Sequence, residues 1–585
     1  MTGPELDRLE LASDADQHAA SDWEKIAAAV LRKSGRLTDT DPDSLVWEKL
    51  SRTTLDGITV APLGVPSEHA VARGPVTGHA ETGWDIRPQL AGPDPKSANQ
   101  AALADLENGA TSLWLTLGEG LGPADLEAVL EGVYVDLAPV VLDAPTGSGG
   151  RVAAAEAYVA LLRDREVAPA EGTNLGADPL ADGLVEIVGL AREAGCLGAV
   201  VDATAVHDQG ASDAQELGYS LAVGAAYLRA LVDSGLSVDE ALGLVEFRYA
   251  ATAEQFPTIA KLRAARQLWA RVAQLSSASE DARVQRQHVV TSRPMMSKYD
   301  PWVNMLRVTV AAFAAGVGGA DAVTVLPFDS ALGVPDAFGR RIARNTSSLL
   351  IAESHVAKVA DPAGGSYAVE RLTDDLARAG WAEFGRIEAA GGIVAALADG
   401  SLAARISEVV SRRDTEIARR KRPLTGVSEF PNLGEALPAR AATPAADAVR
   451  RYGAPFEALR DEPAAAPVFL ATMGTVAAHT ARATFASNLF AAGGIAVDAA
   501  GATADVAAVI AAYSGQAVVC LAGTDAAYAE WGSDLVAALR DAGARHIILA
   551  GLPSSLGRGE IAVDDSCAVG VDALAFLTRT REHLS

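Results

Sequence analysis

The stretch from Ala466 to Ala492 is laid out as an α/β protein lays out a ligand site. A strand pattern, Ala466-Pro467-Val468-Phe469-Leu470-Ala471-Thr472, runs into Met473-Gly474, and a helix follows from about His479 to Ala492. Open α/β sheets bind ligands at such strand-to-helix loops. This loop, Thr475 to Ala481, has no acid, no second glycine and a single, late imidazole, His479. It has the position of a site and lacks the chemistry. Other candidates are weaker. Gly316-Val317-Gly318-Gly319 follows a helix pattern instead of opening one, so it reads as a C-cap and turn, not a phosphate cradle. Pairing of Glu246 or Glu254 with Arg248 reads as an ordinary solvated surface. No Gly-x-x-x-x-Gly-Lys-Ser/Thr, His-Glu-x-x-His or Cys-x-x-Cys occurs.

The elements that must carry these residues fall into two sets. From about residue 53 to 400, short apolar strands such as 112–117, 140–142, 197–202 and 322–326 alternate with helix patterns. About eight βα units favour a (β/α)8 TIM barrel over a doubly wound sheet. From 466 the order is β-α-β-α-β-α-β-α with a short fifth strand, which predicts a flavodoxin-like α/β domain. Between them, 401–465 is strand-poor, carries a basic cluster at Arg419-Arg420-Lys421-Arg422, and reads as a linker. At the start, residues 1–40 read as a loose acidic leader and an interaction helix. Trp23, Ile26, Ala27, Val30 and Leu31 share one helical face, Ser21 or Asp22 can cap it, and Gly35 can end it. That face needs a groove, on its own barrel or on a partner. The domain expectation is therefore 1–40, 41–400, 401–465 and 466–585.

Composition narrows the classes. With 585 residues the chain suits one large and one smaller domain. Its net charge of -26 argues against nucleic acid and anionic membrane as partners. It also means that an anionic ligand needs a local basic pocket. Cys196, Cys520 and Cys567 are odd in number and far apart, which fits buried thiols in a reducing compartment. The first residues have no signal-peptide pattern, and no apolar run approaches the roughly 20 residues of a spanning helix. A cytoplasmic protein is expected.

Three segments carry a resemblance. They are Thr54-Leu55-Asp56-Gly57-Ile58 with Ala61-Pro62-Leu63; Ile259-Ala260-Lys261-Leu262-Arg263-Ala264-Ala265-Arg266-Gln267-Leu268-Trp269; and a run from Asp300-Pro301-Trp302 through Asn304, Arg307 and Arg341-Ile342-Ala343-Arg344-Asn345-Thr346 to Asp361-Pro362-Ala363-Gly364-Gly365-Ser366-Tyr367. In this order they resemble the acyl-CoA mutase barrel of methylmalonyl-CoA mutase. The segment 425–435 resembles the stretch after that barrel, and the likeness spans roughly 20–585. It implies a barrel that threads acyl-CoA through its centre and a flavodoxin-like, cobalamin-binding-type domain. It implies adenosylcobalamin, whose cobalt–carbon bond breaks homolytically to start the interconversion of succinyl-CoA and methylmalonyl-CoA.

The sequence departs from the active pattern of that family. Active members hold cobalt with Asp-x-His-x-x-Gly, a metal-bound imidazole oriented by a carboxylate. With Met473-Gly474 in register, Val476 stands for the acid, Ala478 for the histidine and Ala481 for the glycine. His479 is one position late, which turns a helical side chain by ~100°; it reads as a solvated or capping residue. A Tyr-Thr-x-Arg-like run over the acyl group becomes Thr77-Gly78-His79-Ala80-Glu81-Thr82-Gly83-Trp84, and the first tyrosine of the chain is Tyr134. An active-site His-Thr-Asn becomes Thr324-Val325-Leu326, which predicts a filled or unused cavity. Val206-His207-Asp208-Gln209 resembles the active-site His-x-Gln; His207 is a possible catalytic remnant, held by packing or a neighbouring Asp. Arg263, Arg266 and Arg307 could meet CoA phosphates but sit in helix patterns, so ion pairs between helices are expected.

The resemblance and its departures imply a small, non-catalytic subunit of a heterodimer. A larger homologue would bind adenosylcobalamin and acyl-CoA, and no metal, cofactor or catalytic residue is expected on this chain. Two alternatives are an independent mutase with His479 as a displaced cobalt ligand, and an acyl-CoA-binding regulatory module.

Overall fold

A computed structural model describes residues 18–66, 83–118, 120–144, 150–442, 449–552 and 562–584. Short strands β1 (Arg52–Thr53) and β2 (Thr59–Val60) form an antiparallel hairpin whose turn is Thr54–Ile58. The next nine strands build one curled, parallel, TIM-barrel-like sheet: β3 (Asp85–Ile86), β4 (Gln89–Leu90), β5 (Leu113–Thr116), β6 (Val140–Asp143), β7 (Asn174–Ala177), β8 (Leu197–Asp202), β9 (Val245–Ala251), β10 (Arg286–Thr291) and β11 (Ala322–Thr324). The two end strands are neighbours in sequence. β3 pairs with β11 and β4 with β5, so the single segment 85–90 borders both edges of the curl. Arg87 donates its N–H to Val323, and the Pro88 carbonyl accepts from Trp114.

Helices cover the outside of the curl. Leu262, Ala264, Ala265 and Trp269 of helix Gln255–Leu275 are buried against Phe247 of β9 and against helix Tyr367–Ala389. Trp84 is buried where Gly316 leaves room; a Cβ there would lie 2.3 Å from the indole. The run at 316–319 is the helix end and turn that its position suggested: helix Pro301–Val317 stops at Gly318, and Gly319 takes φ +84°. The expected strand and helix alternation is present, and it includes strands within 85–90, 174–177, 245–251 and 286–291 beyond those that the sequence pattern marks.

A second sheet has the parallel order β13-β12-β14-β15-β16, with β12 (Val468–Thr472), β13 (Val497–Ala499), β14 (Val518–Ala522), β15 (His546–Ala550) and β16 (Asp565–Cys567). Its two faces bury separate apolar clusters under flanking helices. Between the sheets, the span expected to be a linker holds helices Ser401–Ala418 and Ala454–Asp461. Its basic cluster is neutralised in part, by Arg420 on Glu429 and by Arg422 on Glu416 and Glu254. All three cysteines are free. No helix among the described residues is long and apolar enough to cross a membrane.

The N-terminal helix Ala20–Lys33 differs from its expected face. Ala28 and Leu31 pack with Leu37 and Val46 into a small core shared with helix Val46–Leu50, and Trp23 lies 4.6 Å from Trp47. Ile26 and Val30 are instead 69% and 63% exposed. The cap is Ala19, whose N–H donates to Asp22. Arg32, Arg36 and Trp47 make their hydrogen bonds within residues 24–49. The result is a two-helix arm with its own core and an outward apolar stripe.

Candidate functional site

In a TIM-like curl, layers of inward side chains fill the centre, and chemistry sits at the C-terminal strand ends. On β9, Phe247 and Tyr249 point outward, towards Trp269 and Ser220. Alternation therefore turns Glu246 and Arg248 inward. Both are buried, which corrects their reading as a solvated surface pair, and they do not pair with each other. Glu246 receives two hydrogen bonds from Arg87 Nη1, at 2.9 and 3.1 Å, and one from Arg286 Nε at 3.3 Å. Glu254 lies elsewhere, on Arg422.

One layer further along, Arg248 lies 3.9 Å over the Trp114 ring and donates to Asp202 at 2.8 Å. Its Nε donates to His288 Nδ1 at 3.2 Å. That bond assigns the tautomer: Nδ1 accepts, so Nε2 carries the hydrogen and donates to Thr324 Oγ1 at 2.7 Å, which donates to the Arg87 carbonyl at 2.6 Å. Burial, with Arg87 and Arg248 alongside, holds the imidazole well below its ordinary pKa. Trp114 meets the same ring edge-on at 5.3 Å. The interior of the curl is thus crossed by a buried ionic and aromatic network. Val325 and Leu326, just beyond, are also buried.

At the C-terminal strand ends His207 is engaged at both nitrogens. Nε2 lies 2.7 Å from Ser292 Oγ, and Nδ1 lies 3.4 Å from Glu216. The neighbour that holds it is Glu216, not Asp208, which pairs with Arg293. Glu216 also accepts from Lys261 Nζ at 2.6 Å and from the Ala250 N–H. Burial works against the Glu216 charge, but Lys261 and His207 hold its carboxyl below the usual range. The network was legible in part: IAKLRAAR marked Lys261, whereas nothing in the sequence tied Glu216 or Ser292 to His207.

Of the three arginines, Arg263 makes the expected ion pairs, with Asp361 at 2.9 Å and Glu370 at 3.0 Å. Arg266 bonds instead to Gln287 and the Gly318 carbonyl, and Arg307 to Asn304, Ser297 and the Thr425 carbonyl. The stretch 77–82 lies outside the described residues.

In the smaller sheet, the supposed loop is mostly helix. The helix is Val476–Ala492, so Val476, Ala478, His479 and Ala481 are all helical. An alanine-rich run with no further glycine or proline after Gly474 favours early helix formation. His479 is neither solvated nor capping. It is buried in the first turns, and its Nδ1 has no hydrogen-bond partner. Gly474, at φ +89°, bridges to Thr503, whose Oγ1 donates to the Thr472 carbonyl. Arg482 reaches over to the Gly523 carbonyl at 2.7 Å and to Asp525. Side chains of this chain thus span the C-terminal ends of β12 and β14.

The family model for methylmalonyl-CoA mutase matches residues 198–516. The methylmalonyl-CoA mutase small subunit of Streptomyces virginiae is 48% identical over 99% of this chain and 98% of its own. This chain belongs to the methylmalonyl-CoA mutase family. A probable methylmalonyl-CoA mutase small subunit of Mycobacterium tuberculosis (strain ATCC 25618 / H37Rv) is 41% identical over 96% of this chain and 97% of its own. The methylmalonyl-CoA mutase small subunit of Propionibacterium freudenreichii subsp. shermanii is 35% identical over 98% and 96%.

The residues present fit poorly with what a methylmalonyl-CoA mutase asks of its cobalamin loop. An imidazole that ligates a metal is oriented through its other nitrogen. His479 has no carboxylate on Nδ1 among the described residues, and Val476, Ala478 and Ala481 bring no donor. In the curl, Arg87, Trp114, Arg248 and His288 are all buried.

Proposed function

We propose that this chain is the non-catalytic small subunit of a heterodimeric, adenosylcobalamin-dependent methylmalonyl-CoA mutase, acting in the cytoplasm in propionate metabolism. A larger homologous subunit binds acyl-CoA and cobalamin and interconverts succinyl-CoA and methylmalonyl-CoA. This chain supports that subunit through a shared interface. The observation that supports the reading is the buried network of Arg87, Glu246, Arg248, Trp114 and His288 across the interior of the curl, the region through which the family resemblance implies that catalytic members thread acyl-CoA. The names of the small-subunit relatives point the same way.

The reading assigns residues 1–40 to a leader and interaction arm, 41–400 to a (β/α)8 barrel, 401–465 to a connecting span and 466–585 to a flavodoxin-like domain of the cobalamin-binding type that has lost its ligand. The strand order β13-β12-β14-β15-β16 supports the last assignment. Cobalamin, when bound by the partner, supplies the radical chemistry. Here His207 stays on Ser292 and Glu216, and no catalytic or cofactor-binding residue is assigned.

The test is titration of the purified chain with adenosylcobalamin, alone and mixed with the larger homologue, followed by absorbance. Uptake in the mixture alone, with turnover, supports the reading. Uptake by the isolated chain that disappears in His479→Ala would overturn it in favour of a displaced cobalt ligand.

A further inference from the structure

In the smaller sheet two imidazoles lie face to face. The ring centroids of His546 and His583 are 3.9 Å apart and their planes 15° apart. His546 opens β15 and is 8% exposed, whereas His583 is exposed on the last turn of helix Ala573–Leu584. The place of that helix makes the pair matter. Phe576 and Leu577 pack with Ile548 of β15 and with Ile417 and Phe456 of the connecting span. Arg581 donates to the carbonyls of Leu459 at 2.9 Å and Gly493 at 3.0 Å. The helix is therefore a joint between the smaller sheet and the connecting span, and the stack holds its last turn to the start of β15.

Neutral rings stack readily, but two unit charges at this separation repel. The surroundings offer His546 little help in taking up a proton. Asp564 lies 3.9 Å from its Nδ1, yet that carboxylate already accepts from Arg540 at 2.5 Å and from the Ile547 N–H at 2.6 Å. Asp565 of β16 is paired with Arg579 of the same C-terminal helix at 2.9 Å. Arg545 and Glu582 flank the two rings in sequence. His546 Nε2 is buried with no hydrogen-bond partner among the described residues. An imidazolium carries a hydrogen on both nitrogens, so the charged ring would bury an unmatched donor there. Burial, then His583, holds the His546 imidazole below its ordinary 6.5, against the pull of Asp564 and Asp565.

We propose that the His546–His583 stack is an acid-sensitive clasp, which releases the last turn of helix Ala573–Leu584 from β15 as the solution is acidified and so loosens the joint between the smaller sheet and the connecting span. The sign follows from linkage. The closed form disfavours the proton on His546, so closure is complete above pH 6.5 and weakens below it. For one such imidazole the opening equilibrium rises by up to about tenfold between pH 7.5 and 5.5. The clasp lies within this chain and does not depend on which subunit holds cobalamin.

The experiment is hydrogen exchange of the full chain at pH 7.5 and 5.5, corrected for the pH dependence of the intrinsic rate and read on residues 573–584. Opening of the last turn is expected to rise about three- to tenfold at pH 5.5 in the parent. The rise should be smaller in His583→Gln and absent in His546→Gln, with helix Leu184–Ala194 of the curl unaffected in all three. A second measurement needs no substitution in the strand: the ring titration of His546, followed by NMR on histidine-labelled chain, should shift to higher pH in His583→Gln. No rise in the parent would overturn the proposal. So would a His546 midpoint that His583→Gln leaves in place, because burial alone would then set it.

Discussion

Arg87 and Glu246 face each other inside the curl, both fully buried, and the two Glu246 oxygens share one Arg87 nitrogen at 2.9 and 3.1 Å. Arg87 lies between β3 and β4 and Glu246 on β9, so the bond spans the interior between strands that are not sheet neighbours. Removing one charge strands the other in a low dielectric, which costs about 3–5 kcal/mol. Glu246→Leu is therefore expected to lose that much in urea unfolding, and Arg87→Met combined with Glu246→Leu to recover most of it. A single-variant loss below about 1 kcal/mol would mean that Asp85 and Ser112, which already accept from Arg87, absorb the charge instead.

His288 gives a pH prediction. Its folded pKa is well below 6.5 because of burial and then the nearby arginines, so below that pH the unfolded chain binds the extra proton. Stability conferred by neutral His288 is complete above pH 6.5 and falls as the solution is acidified, by up to about 1.4 kcal/mol per pH unit. His288→Gln should flatten this part of the profile, as read from denaturation midpoints between pH 7 and 5. An unchanged slope would place the titration elsewhere.

Asp56 has the opposite sign. Burial, then Asp213, pushes its carboxyl up to about 6 from 3.8, so the folded chain binds the proton more tightly. Ionised Asp56 weakens the fold above pH 6, and the penalty fades as pH falls towards 4. Asp56→Asn should be more stable than the parent at pH 8 by roughly 1–3 kcal/mol, with the gain shrinking below pH 6. Equal midpoints at pH 8 would contradict it.

The arm makes a separable prediction. Ile26 and Val30 lie outside its small core, so Ile26→Asp with Val30→Asp should leave the melting temperature of the isolated chain nearly unchanged. If the arm grips the larger homologue, the same variant weakens the complex at least tenfold in sedimentation analysis. Unaltered assembly would assign the stripe no role in pairing.

Much of this architecture was legible from periodicity and from the ordered barrel motifs. The interior was not. Glu246 and Arg248 belong to types that are almost always solvated, and alternation along Val245–Ala251 could have placed them inward once the stretch was read as a strand. The segment 85–90 hid behind Pro88, since proline inside a run argues against a central strand. The cobalamin-type loop was misjudged in extent because alanine propensity carried the helix back to Val476. His479 was missed as a buried group because helix phase, not sequence position, decides which side it takes.

Pro88 also has a consequence during synthesis. The segment that borders both edges of the curl emerges early, yet the Thr324 hydroxyl that bonds the Arg87 carbonyl lies 237 residues later. At ~5–20 residues per second the ribosome needs roughly 12–50 s to supply it. For that time the β3 side is an unpaired edge on a nascent polypeptide, open to pairing with a neighbouring chain. A residue without an N–H in its middle removes one rung from any such wrong ladder. What reads in the finished molecule as a break between two short strands serves, while the chain is still being made, as a guard against premature partners.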